Sequence, residues 1–339
     1  MQWDKALRQL YRWVTLLIFV SLVLMAAIVV VTFYPEVLKP SPIMVEREWQ
    51  PKNPLTELPD DELVQYGYQL ISESSKHMGP LLDDVDGRYA GNNLSCQNCH
   101  LGAGTVRGSA SFVGVTNRFP QFRGRENKMG TLAERINGCM ERSMNGRAMP
   151  EESEEMQAMI AYMKWLSVDV PADKEAEYRG FVKLELPNLK ADLLKGKAIF
   201  NTQCQRCHMD DGQGQRPDVM QKHVYPPLWG VDTYNHGAGM HRVITAAQFI
   251  KANMPFEEAT WDQPKLTDEE AYHVAAYINS FPRPQKANPG ADFPDKKLKP
   301  VSTPYGPWTD PFSADQHKYG PFLPIMEYYL KEFDIKKTK

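Results

Sequence analysis

Cys96-Gln97-Asn98-Cys99-His100 decides the reading of this chain, because Cys204-Gln205-Arg206-Cys207-His208 repeats its plan later on. C-x-x-C-H is the attachment signature of c-type haem: the two thiols add to the haem vinyls and the adjacent histidine becomes the proximal iron ligand. A redox C-x-x-C pair and half of a zinc site are the competing readings, and neither explains a histidine following at once in both copies. Two covalently bound haem c groups are therefore expected, one on Cys96, Cys99 and His100, the other on Cys204, Cys207 and His208.

The flanks of the two motifs also correspond. Gly67-Tyr-Gln-Leu-Ile precedes the first and Gly196-Lys-Ala-Ile-Phe the second. Helical stretches near Thr131–Asn145 and Ala246–Asn253 follow, then Met149-Pro150 and Met254-Pro255, then helices ending near Trp165-Leu166 and Ser280-Phe281. Acidic residues open both final helices, where they complement the helix dipole, and Thr267-Asp-Glu-Glu offers a capping box. The fold class is all-α, with tandem cytochrome c-like domains expected over 60–180 and 181–285.

Outside that repeat lie three further segments. Val14–Phe33 is an uncharged, mostly apolar run of about 20 residues, enough to span a bilayer's ~30 Å hydrocarbon layer. Lys5, Arg8 and Arg12 precede it, which puts the N-terminus of this 1–34 segment in the cytoplasm and the rest outside. A cleaved signal peptide is the rival, but its apolar region is shorter and needs small residues at a cleavage site, which Val31-Thr-Phe-Tyr-Pro-Glu36 does not offer. The expectation is a single-pass anchor in a bacterial inner membrane with both domains in the periplasm. Six prolines mark 35–59 as an extended linker, and the Pro- and aromatic-rich 286–339 reads as an irregular tail wrapping over the domains. The net charge of −3 gives no reason to expect nucleic acid as a partner.

Each haem needs a distal ligand. In the second domain Met254 is the expected thioether, with Met240, His223, His236 and His241 as rivals. In the first, the repeat nominates Met149, but Cys139 sits ten residues earlier and is the one of five cysteines not used by haem. A buried structural thiol, an intermolecular disulfide and an iron ligand are all open for it. Arg123, Arg125, Arg135, Arg142, Arg147 and Lys128 crowd the same stretch, and cations favour the thiolate that binds iron. They would also attract small oxyanions, although Glu126, Glu134 and Glu141 allow a merely solvated face.

The stretch Thr131-Leu-Ala-Glu-Arg-Ile-Asn-Gly-Cys-Met-Glu-Arg-Ser-Met-Asn-Gly-Arg147 resembles the dihaem thiosulfate dehydrogenases, the tetrathionate-forming cytochromes c. So do Tyr225-Pro-Pro-Leu-Trp-Gly, Tyr234-Asn-His-Gly-Ala-Gly-Met and Phe249-Ile-Lys-Ala-Asn-Met-Pro, and the likeness runs from about Gly67 to Pro284. The resemblance implies that Cys139 is the distal ligand of a catalytic first haem, with Met254 on the second. It further implies that Arg125, Arg135 and Ser143 hold the substrate. Some members carry lysine immediately before that methionine as an alternative ligand; Asn253 stands there in this chain. The implied activity oxidises thiosulfate to tetrathionate, or runs in reverse, and exchanges electrons with a cytochrome or membrane oxidase. A non-catalytic dihaem carrier and a cytochrome peroxidase are the alternatives.

Overall fold

The computed structural model describes residues 2–34, 48–217 and 222–338. Most of the expected 35–59 linker lies outside the described residues, as does Lys339 of the basic C-terminal stretch. The chain divides into a unit ending at Gln50 and a larger body, Pro51–Lys339. The first unit contains helix α1, Gln2–Phe33, whose Trp3–Phe33 portion is long and apolar enough to cross a membrane.

In the body, the first core is built on helices α2 (Glu62–Ser72), α3 (Ser74–Met78), α4 (Leu132–Met140) and α5 (Glu154–Trp165). A short ribbon, β1 (Gln121–Arg123) paired antiparallel with β2 (Lys128–Gly130), precedes α4. Helix starts are set by side chains that take up orphan backbone N–H groups. Asp61 accepts from Leu63 and Val64, Ser153 caps α5, and Thr131 with Glu134 closes a capping box on α4. Leu70, Ile71, Met78, Met140, Met156 and Tyr162 fill the interior.

The second core repeats the plan. It uses α7 (Leu193–Ile199), α8 (Val243–Asn253) and α9 (Asp268–Ser280), after the short connecting helix α6 (Ala172–Tyr178). The capping box expected at Thr267 forms, with Glu270 as its partner. In each core the first and last helices cross at a glycine. A Cβ on Gly67 would sit 2.0 Å from the Ala158 carbonyl oxygen, and one on Gly196 would sit 2.3 Å from that of His273. Bare backbone at these crossings is what the paired Gly67 and Gly196 segments encode.

The tail is more ordered than its composition suggests. It carries α10 (Ala314–Tyr319) and α11 (Leu323–Phe333), and Val301, Phe322, Ile325 and Tyr329 are buried in the second core. The two cores are also tied to each other. Asn92 donates to Thr233 O (3.1 Å), and Asn93 N–H donates to Asp232 (2.8 Å). Asn253 donates across to Gly108 O (3.1 Å). The loop beginning at Tyr234 docks on the end of α4, where Asn235 donates from its backbone to Arg142 O (3.1 Å) and from its side chain to Glu141 O (2.9 Å).

Candidate active site

Each C-x-x-C-H segment opens on its own cavity. The first, of about 360 Å³, is lined by Cys96, Cys99 and His100 with Phe112, Met140, Met144 and Met159. The second, of about 420 Å³, is lined by Cys204, Cys207 and His208 with Pro226, Leu228, Ile250 and Met254. His100 Nδ1 donates to Ala110 O (2.7 Å) and His208 Nδ1 to Pro226 O (2.8 Å). Each ring is thereby fixed in one tautomer, with Nε2 left as the metal-binding nitrogen. All five cysteines are free of disulfides. Burial pushes the Cys96 thiol up to about 11, and the Cys99 and Cys204 thiols up to about 12.

Both cavities fit a haem by a further criterion. Arg118 Nε in the first and His223 Nδ1 in the second are buried without a hydrogen-bond partner among protein groups. Buried polar atoms are normally satisfied, and a haem's two propionates would satisfy such donors.

The distal candidates separate by position. Cys139 lines the first cavity, whereas Met149 does not; it is buried in the first core with its backbone held by Asn137 at 2.8 and 2.9 Å. In the second cavity Met254 lines the wall, together with Met240 and His223, while His236 and His241 lie outside it. His223 is engaged by Asp232 (3.1 Å), His236 accepts from Lys286 N–H, and His241 Nδ1 bonds to His236 O. Asn253, only 3% exposed, is spent on holding Gly108 O and Phe249 O.

A third cavity, of about 480 Å³, shares Cys139, His100, Arg135 and Ser143 with the first haem cavity. It is strongly basic. Arg123, Arg125, Arg135, Arg142 and Arg242 line it, with Glu126 as its acid. Arg135 donates to Cys139 Sγ, Arg123 pairs with Glu126 at 2.9 Å, Arg142 lies 3.8 Å from Glu126, and Arg125 pairs with Asp292. Burial alone would raise the Cys139 thiol, but the Arg135 guanidinium, the His100 ring and Arg142 outweigh it and bring it down to about 6. Guanidinium groups beside the sulfur favour its thiolate form. Burial and neighbouring Arg125 push Arg142 down to about 10 despite the Cys139 charge. Gly138 makes room for this packing, since a Cβ there would sit 2.2 Å from Arg142 Nη2.

Two members of the expected basic cluster are elsewhere. Arg147 stacks on Tyr89, 4.5 Å from the ring centroid, and Lys128 pairs with Glu134 on the surface. Conversely, three contributors come from far along the chain. Arg242 enters from the second core, and the tail supplies Phe293 to the wall and Asp292 behind it. Tyr305 donates to Asp292 at 2.7 Å, and Arg125 lies over the Phe293 ring. The signal for Arg242 was its place directly after the Gly-Ala-Gly-Met-His segment; Asp292 and Phe293 have no local signature.

Two haem-binding folds side by side, with one arginine-lined cavity opening onto the first, define a dihaem c-type cytochrome that is also an oxidoreductase. Residues 87–172 match the SoxA/TsdA cytochrome c domain family, and residues 193–282 match the cytochrome c family. Thiosulfate dehydrogenase of Stutzerimonas stutzeri is 41% identical over 224 residues, 66% of this chain and 68% of that protein. Thiosulfate dehydrogenase of Allochromatium vinosum is 40% identical over 208 residues, 60% of this chain and 75% of that one. Among solved structures, thiosulfate dehydrogenase (TsdBA) from Marichromatium purpuratum, in its as-isolated form, superposes with a TM-score of 0.63 at 34% identity. That match takes in 71% of this chain and spans half the length of the solved chain. The chain belongs to the thiosulfate dehydrogenase family, and it carries two covalently bound c-type haems.

Proposed function

We propose that this chain is a membrane-anchored enzyme that joins two thiosulfate dianions into tetrathionate at Cys139. The observation that carries the reading is the placement of the Cys139 sulfur on the wall shared by a haem cavity and an arginine-lined cavity. In the first domain, about residues 60–180, Cys96 and Cys99 would attach the haem, and His100 and Cys139 would hold its iron. In the second, about 181–285, Cys204 and Cys207 would attach it, with His208 and Met254 as ligands. Bound there, the two haems supply two one-electron acceptors, the thioether-ligated one at the higher potential.

The chain's own groups do the rest. Arg125 and Arg135 neutralise the incoming dianion, and Ser143 orients it. The Cys139 thiolate would form a bond to the sulfane sulfur, a two-electron oxidation for which the two haems, when bound, would be the acceptors. A second thiosulfate then attacks that sulfane sulfur, forming the central S–S bond of tetrathionate and expelling Cys139 as thiolate. Every step is reversible, so tetrathionate reduction uses the same groups. A cytochrome or membrane oxidase would be the electron partner, and Trp3–Phe33 would tether the chain to the inner membrane with its domains in the periplasm.

The test is to add thiosulfate to the oxidised full-length protein and follow haem absorbance and tetrathionate. Reduction of the haems with tetrathionate formation is expected, and Cys139→Met should keep both haems with little turnover. Full activity in that variant would sink the proposed chemistry. Failure of thiosulfate to reduce the haems, with tetrathionate failing to reoxidise them, would make the chain an electron carrier.

A further inference from the structure

The start of helix α8 is chemically odd. Arg242 stands at its N-cap, where its positive charge opposes the helix dipole, and no side chain caps the free N–H groups there. Among the described residues Arg242 pairs with no carboxylate; its Nε makes only a long contact to Gly239 O, at 3.4 Å. One turn on, Thr245 is 3% exposed and its Oγ1 has no hydrogen-bond partner. Arg242 and Thr245, three residues apart, share a helix face, and both line the basic cavity. An uncapped helix N-terminus, a guanidinium without a carboxylate partner and an unsatisfied buried hydroxyl line one wall, and these are groups that bind an anion.

This wall is distinct from the one around the sulfur. Arg135, His100 and Arg142 are the groups that act on Cys139. Arg242, pushed down to about 9 by burial, is acted on by Arg125, Arg142 and Arg135, with the Tyr305 hydroxyl opposing them. The five cavity guanidiniums face Glu126 and, behind Arg125, Asp292, so arginines outnumber carboxylates around the cavity. The cavity's volume of about 480 Å³ admits two small anions together, given that one water takes about 30 Å³ of liquid.

We propose that Arg242, Thr245 and the N-terminus of α8 form a second sulfonate subsite, which holds the second thiosulfate and the far end of tetrathionate. The inference rests on the thiosulfate reading above and assigns a step within it. The first dianion docks on Arg125, Arg135 and Ser143 beside the sulfur. The second is gripped by its sulfonate group on the α8 wall, and its sulfane sulfur faces the thiosulfate already bound to Cys139. Its attack forms the tetrathionate S–S bond and breaks the bond to Cys139 Sγ, which leaves as thiolate. No oxidant enters this step, because exchange of the thiolate for the second thiosulfate at the sulfane sulfur is redox-neutral.

The two half-reactions can be read separately by intact mass. Full-length oxidised protein is mixed with one equivalent of thiosulfate, the adduct on Cys139 is measured, and excess thiosulfate is then added to discharge it. Arg242→Gln and Thr245→Val should form the adduct at the wild-type rate and discharge it about 10- to 100-fold more slowly, the loss expected for a charge-assisted hydrogen bond. Arg242→Lys and Thr245→Ser should recover part of that loss. The KM for tetrathionate should rise in the same variants while both haem spectra stay unchanged. Wild-type discharge rates in both damaging variants would overturn the proposal. Equal slowing of adduct formation and discharge would also overturn it, by placing Arg242 in the first subsite. A wild-type protein that forms no adduct would instead overturn the thiosulfate reading itself, and the subsite with it.

Discussion

Arg125 and Asp292 form an ion pair across 167 positions of sequence, and through it the tail closes the wall of the arginine-lined cavity. Asp292 is 6% exposed, accepts from Tyr305 at 2.7 Å and lies 3.5 Å from Lys286. Phe293 N–H donates to Arg125 O at 2.8 Å, so main chain and side chain are gripped together.

Asp292→Asn should therefore leave a buried guanidinium unpaired. Breaking a buried pair costs about 3–5 kcal/mol, so a clear fall in Tm and a several-fold loss of thiosulfate turnover are expected. Burial by itself would raise the Asp292 carboxyl, but Arg125, Tyr305, Lys286 and Arg142 hold it below its ordinary 3.8. A depressed carboxylate stabilises the fold above its unfolded pKa, and that stabilisation fades as pH falls below 3.8 toward the folded value. Acid unfolding of wild type and Asp292→Asn should accordingly converge at low pH and differ most near neutrality. Parallel curves over the whole range would mean the charge is unimportant.

Gly138→Ala places a methyl 2.2 Å from Arg142 Nη2. The guanidinium is the mobile partner, so it moves and the helix stays. Thiosulfate KM should rise about tenfold, on the order of one charged hydrogen bond, with melting and haem spectra almost unchanged. Unaltered kinetics would show that Arg142 does not contact substrate.

Gly67→Ala and Gly196→Ala meet backbone instead, at 2.0 and 2.3 Å. Neither carbonyl can step aside without parting the helices, and overpacking of this kind costs typically 1–3 kcal/mol or more. Limited proteolysis should show the first core loosened by Gly67→Ala and the second by Gly196→Ala. Two variants as stable as wild type would contradict the crossings described above.

Replacing residues 1–34 by a cleavable export leader should move the protein from the membrane to the soluble fraction with kcat for thiosulfate retained. Continued membrane association of the body would show that α1 is not the tether.

The legible part of this protein was the part written in local spacing. C-x-x-C-H, the Thr267 capping box and the echo of Gly67 in Gly196 all lie within a few residues, and their structural causes are equally local. Spacing could not choose between Cys139 and Met149, since both follow His100 at a workable distance. Only packing, with Met149 clamped by Asn137 inside the core, separates them. Arg147 looked equivalent to Arg142 in the sequence, yet the turn after Met140 sends one to Tyr89 and buries the other. Asp292 and Phe293 were out of reach because they meet the site through tertiary contacts between separate segments.

The closing contribution of Asp292 and Phe293 has a meaning for biosynthesis. During synthesis and export both attachment motifs emerge well before these two residues. A chain interrupted just before Asp292 already carries both attachment motifs and the residues that line both C-x-x-C-H cavities, yet its arginine-lined cavity lacks one wall and Arg125 lacks its partner. Substrate chemistry thus waits on the end of the polypeptide, so an unfinished product can be coloured and redox-active without being a competent enzyme.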